Sequence, residues 1–60
     1  MNSYFFYIHD RRYSVAQFVV VDAKTDADAI ETARQYLIES RYYLSIDIFD
    51  SDREVAHVGR

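Results

Sequence analysis

The sequence predicts an α+β domain of ββαββ order, a four-stranded antiparallel sheet (order 2-1-3-4) with one helix packed on one face. Three observations predict it. The chain before Lys24 holds two stretches rich in aromatic and β-branched residues, the middle carries one run at helical spacing, and the segment from Tyr42 alternates apolar and polar residues.

Tyr4-Phe5-Phe6-Tyr7-Ile8-His9-Asp10 predicts strand one. Asp10-Arg11-Arg12-Tyr13 supplies a turn, with Asp suited to its first position. Strand two is expected from Tyr13 to Asp22, because the centre Phe18-Val19-Val20-Val21 has the β-branched stiffness that disfavours a helix. Thr25 is suited to cap a helix, and Asp26, Asp28 and Glu31 place negative charge near the positive end of its dipole. Ile30, Ala33 and Leu37 then recur at helical spacing, flanked by Ala29 and Tyr36, while Asp28, Glu31, Thr32, Gln35 and Glu39 gather opposite. That pattern predicts an amphipathic helix ending near Ser40 to Tyr42. In strand three Tyr42, Leu44, Ile46 and Ile48 are expected to point one way and Tyr43, Ser45, Asp47 and Phe49 the other. Asp50-Ser51-Asp52-Arg53 reads as a turn and Glu54 to Val58 as the last strand. The helix returns the chain, so pairing strand three with strand one gives the wholly antiparallel order 2-1-3-4 with a right-handed crossover. The rival order 1-2-3-4 contains one parallel pair.

Sixty residues make a single domain, 1–60. A core that small rarely supplies more than about 3–5 kcal/mol, and small scaffolds usually find support in disulfides, a metal or a partner subunit. The chain has no Cys, which excludes disulfides, a thiolate metal site and a Cys nucleophile. Self-association is therefore the expected support. An apolar fraction of 50% and an aromatic fraction of 17% are far above those of disordered chains. The longest strongly apolar run, Phe18 to Val21, is too short to span a bilayer. Met1-Asn2-Ser3 opens without a basic-then-apolar leader, which together with the lack of Cys predicts a cytoplasmic location. The formal charge of −3 disfavours a nucleic-acid partner, since such binding needs cations to displace phosphate counterions.

The main functional signal is a surplus of apolar strand positions. One helix covers one face of a sheet, yet Tyr4, Phe6 and Ile8 alternate with Phe5, Tyr7 and His9, and Phe18 and Val20 alternate with Val19 and Val21. Whichever set meets Ile30 and Leu37, large apolar side chains remain on the other face, and such patches mark contact sites. The partner-binding residues expected on this ground are Phe5, Tyr7, Val19 and Val21, with the exposed helical acids Asp28, Glu31 and Glu39 as a second candidate set.

Motifs for chemistry are sparse. His9 and His57 are the only histidines, two strands apart in the order 2-1-3-4; joint metal binding would need a carboxylate such as Asp47, and hydrogen-bonded strand histidines are the simpler reading. Asp50, Asp52 and Glu54 alternate like the start of a calcium loop but lack its glycine and terminal glutamate. There is no glycine-flanked Ser elbow and no Gly-rich phosphate loop, so no catalytic residue, cofactor or metal is expected. Arg11-Arg12-Tyr13 beside an aromatic strand could stack on single-stranded nucleic acid, though two cations in an acidic chain are few.

The opening Tyr4-Phe5-Phe6-Tyr7-Ile8-His9-Asp10 and the closing Ile46-Asp47-Ile48-Phe49-Asp50 through Val55 resemble a group of small bacterial domains of unknown function. Those begin with a Tyr-Phe-Phe strand ending in Asp and close with a two-stranded hairpin; where they often carry Gly after the first Asp, this chain has Arg11. The segment Val19 to Ala33 is similar to compact phage-encoded proteins, some of which are anti-CRISPR inhibitors. Three functional expectations follow. The first is a non-catalytic, homodimeric interaction module, binding through the open face or the edge of strand two. The second, implied by the phage resemblance, is an inhibitor that meets a host defence complex through acidic residues. The third is a small single-stranded nucleic-acid binder. No membrane partner is expected.

Overall fold

The computed structural model describes residues 2–60. Along the chain lie β1 (Asn2–Asp10), β2 (Gln17–Ala23), α1 (Asp26–Glu39), β3 (Tyr43–Asp50) and β4 (Arg53–Gly59). The strands form one four-stranded sheet in the order β2-β1-β3-β4, with every neighbouring pair antiparallel. The expected ββαββ architecture and strand order are thus present. No helix among the described residues is long and apolar enough to cross a membrane.

The core lies between α1 and one face of the sheet. Tyr4, Phe6 and Ile8 of β1 are fully buried with Ile46 and Ile48 of β3, beneath Ala29, Ala33 and Leu37 of the helix. Two alanines on the buried stripe let the helix backbone approach closely, and Phe6 meets Tyr36 edge-to-face at 5.8 Å between centroids. Thr25 caps the helix as expected, its hydroxyl accepting the Asp28 amide at 3.2 Å. The other end has no basic side chain in its last turn. Arg60 takes that role from across the fold, donating to the carbonyls of Ser40 at 3.0 Å, Tyr43 at 2.8 Å and Leu37.

Several boundaries differ from the sequence reading. Strand two begins at Gln17 rather than Tyr13, because Ile8 is the last β1 residue to pair with it. Residues 11–16 are held instead by a turn: Tyr13 N–H donates to the Asp10 carbonyl at 3.1 Å and Arg11 N–H to the Tyr42 carbonyl at 2.8 Å. Tyr42 lies in the turn after the helix, closed by Tyr43 N–H donating to the Ser40 carbonyl at 3.3 Å, so β3 starts at Tyr43. The last strand is longer than expected, running from Arg53 to Gly59, since Asp50 and Ser45 both find partners there.

A bulge corrects the alternation expected in strand three. His9 pairs with Ser45 and Asp10 with Tyr43, so Leu44 is the extra residue. Leu44 is consequently exposed instead of joining Ile46 and Ile48, and Tyr43 packs against the core instead of facing away. A second bulge in β4 leaves Val55 between Glu54, opposite Phe49, and Ala56, opposite Ile48.

Candidate functional site

The face of the sheet away from α1 is built by cross-strand register. Cross-strand partners share a face, so Phe5 and Tyr7 of β1 stand with Val20 and Phe18 of β2, and with Phe49 and Asp47 of β3. His57 of β4 faces Asp47, and Glu54 faces Phe49. Ser3 and Asp22 close one end, joined by a 3.0 Å hydrogen bond. No Lys or Arg occupies any of these positions.

The apolar part is a continuous aromatic row across three strands. Phe5 stacks on Phe18 at 5.6 Å between centroids, Phe18 lies 5.4 Å from Tyr7, and Tyr7 lies 5.5 Å from Phe49. These separations fall in the favourable range for aromatic pairs. The rings shield one another towards β3, but the β2 side stays open: Phe18 and Val20 are each 54% exposed and Tyr7 38%.

Beside the row stands a polar cluster of His9, Asp47 and His57. His9 Nε2 lies 2.9 Å from one Asp47 oxygen, and His57 Nδ1 is hydrogen-bonded to the other. The three residues the sequence singled out are thus brought together, as two imidazoles sharing one carboxylate. Among the described residues no group of three His, Cys, Asp or Glu is arranged to hold a metal ion. Burial pushes the Asp47 carboxyl up, but the bonds from His57 and His9 outweigh it and hold the group below its ordinary value.

The other expected site residues are dispersed. Val19 and Val21 point to the opposite side from Phe5 and Tyr7 and pack against the core under α1. Phe18 and Val20 take their place on the open face. Both sets are apolar, so composition carried no signal for the choice. Asp28, Glu31 and Glu39 are exposed on α1, where Glu31 accepts from Gln35 at 2.9 Å and has Arg34 at 4.0 Å. Arg12 is engaged within the fold: it pairs with Asp10 at 2.7 Å and lies over the Tyr42 ring at 4.1 Å. Arg53 bridges Asp26 at 3.3 Å and Asp50 at 3.1 Å, tying down the acidic turn. A shallow apolar groove lined by Arg34, Leu37, Ile38, Gly59 and Arg60 lies beside the helix end.

The fold and this face together define a ββαββ domain with one helix-covered side and one open aromatic side. No protein-family model, curated protein or solved structure matches the chain.

Proposed function

We propose that the protein is an interaction module that acts by binding rather than by catalysis, works as a homodimer, and makes its contact on the β2 side of the sheet. The observation that carries this reading is the half-exposed pair Phe18 and Val20 at the end of the aromatic row. Contiguous apolar surface of this kind marks interaction sites. A chain of 60 residues without Cys also has much to gain from burying it. The charges on the face favour a protein over a nucleic acid. Asp22, Asp47 and Glu54 stand there with no Lys or Arg, whereas phosphate binding needs cations.

Sedimentation across the micromolar range tests the reading, together with melting at several concentrations. The wild type is expected to sediment as a dimer and to melt higher as concentration rises, since a subunit that binds only the folded state stabilises it by mass action. Phe18→Lys with Val20→Lys is expected to yield a folded monomer, because both side chains are already half in water. A wild-type monomer with a concentration-independent melt would refute the dimer.

A further inference from the structure

The two edges of the sheet are built differently. β4 has the devices that keep an edge from pairing: Arg53 and Glu54 at its start, a bulge at Val55, and His57 further along. β2 has no bulge, and its one charge, Asp22, lies next to its last residue. Its pairing with β1 runs from Gln17 to Ala23 without a register shift, and Phe18-Val19-Val20-Val21 carries no charge and no Pro. A straight apolar edge with a row of free N–H and C=O groups is a template for another strand.

The sequence of β2 is compatible with pairing to itself. In an antiparallel pair about a two-fold axis normal to the sheet, open-face residues must oppose open-face residues. An axis at Val19 sets Phe18 against Val20 of the second copy, Val20 against its Phe18, and Val19 against Val19. These three central contacts are apolar; further out, Gln17 meets Val21 and Asp22 meets the small Ala16, which precedes the strand. An axis at Val20 instead brings Asp22 against Phe18, leaving a carboxylate beside an aromatic ring.

We infer that the second copy docks edge to edge, β2 antiparallel to β2 with the two-fold axis at Val19. The inference rests on the self-association proposed above and specifies its geometry. The docking doubles the four-stranded sheet, places both helices on one side and joins the two aromatic rows into one continuous surface on the other.

Because the chain has no native Cys, single-cysteine variants report the geometry without background. Directly opposed residues on paired strands have Cα atoms about 4.5–5.5 Å apart, within the span of a disulfide. Diagonal neighbours lie about 7–8 Å apart, beyond it. Val19→Cys is therefore expected to run as a covalent dimer after mild oxidation, while Val20→Cys and Phe49→Cys remain mostly monomeric. In the wild type, β2 amides facing away from β1 are expected to exchange more slowly as concentration rises. Preferential cross-linking through Val20→Cys would overturn the register. Cross-linking through Phe49→Cys, with β2 amides unprotected, would show face-to-face packing and overturn the edge. A dimer by sedimentation in which none of the three cross-links refutes the edge pairing alone, whereas a wild-type monomer refutes self-association itself.

Discussion

Asp10 ends β1 at 4% exposure while carrying a charge, which a lone carboxylate could not sustain. Arg12 makes it possible. Its backbone N–H and Nε donate to one oxygen at 2.8 and 3.0 Å, and its Nη2 to the other at 2.7 Å. The Arg12 bonds hold the Asp10 carboxyl below its ordinary value, against the opposing effect of burial. A depressed carboxyl adds stability above its unfolded value of about 4 and loses it as pH falls through the lower folded value. Asp10→Asn is therefore expected to melt below the wild type at neutral pH, with the two curves converging in acid; a gap that persists in acid would show that the charge is not the source. Leu37, the last and largest residue of the buried helix stripe, gives a larger effect. Leu37→Ala is expected to cost about 2–5 kcal/mol, comparable to the whole stability of so small a core, and to abolish most of the cooperative melt. Ser51 in the β3–β4 turn adopts a φ of 57°, a left-handed conformation costly for a residue with a Cβ. Ser51→Gly should raise the melting temperature, by less than about 1 kcal/mol once the added freedom of the unfolded chain is counted.

At the scale of the elements, α1 is secured at its two ends by different means. Thr25→Ala removes a local cap and is expected to cost about 0.5–2 kcal/mol in chemical denaturation. Arg60 secures the other end from a distance in sequence, so no helix-end signal near Glu39 could reveal it. The exposed acids permit a control on the proposed contact. Reversing Asp28, Glu31 and Glu39 together is expected to lower stability by at most several tenths of a kcal/mol, through the loss of Asp28 from the positive end of the helix dipole and partly offset at Glu39, leaving self-association intact. A monomer after that reversal would move the contact from β2 to the helix. Within β1, alternate residues separate cleanly: charged substitutions at Phe6 and Ile8 are expected to unfold the chain, while those at Phe5 and Tyr7 leave the far-ultraviolet dichroism of the fold.

For the molecule as a whole, Asp10, Asp26 and Asp47 tie the sheet to its turns, its helix and its second histidine strand. Asp26 is held below its ordinary value by the Tyr4 hydroxyl, 2.7 Å away, and by Arg53. All three are depressed carboxyls, so their stabilisation is complete above about pH 4 and is lost together as pH falls below it. Acid unfolding should accordingly take up protons, and Asp26→Asn should shallow that limb of the pH–stability curve. Tyr4 works in the opposite direction: its bond to Asp26, and then burial, raise its phenol above the ordinary value. Its contribution is complete below about pH 10 and is lost as pH rises through the higher folded value. Tyr4→Phe should therefore lose part of the wild-type advantage at neutral pH while flattening the alkaline limb.

The sequence by itself determined the elements and the cap at Thr25, because periodicity and capping chemistry act locally; it favoured the order 2-1-3-4 over 1-2-3-4, and the assembled sheet decided between them. It did not choose between the two faces of β1 and β2, since both faces carry large apolar side chains, Tyr4, Phe6 and Ile8 on one and Phe5, Tyr7, Phe18 and Val20 on the other. The tie is broken by β3. Its Ile46 and Ile48 belong in a core and its Asp47 does not, and the register sets Ile8 and Phe6 opposite those isoleucines and Tyr7 opposite that aspartate. Cross-strand partners must share a face, so the polarity of one strand decides the orientation of its neighbour and, through it, of β2. That decision passes through pairings between residues some forty positions apart, together with a bulge that breaks the strand's alternation at Leu44, an apolar residue whose sequence position gives no local sign of it. Only the assembled sheet could place Phe18 and Val20 in water and Val19 and Val21 under the helix.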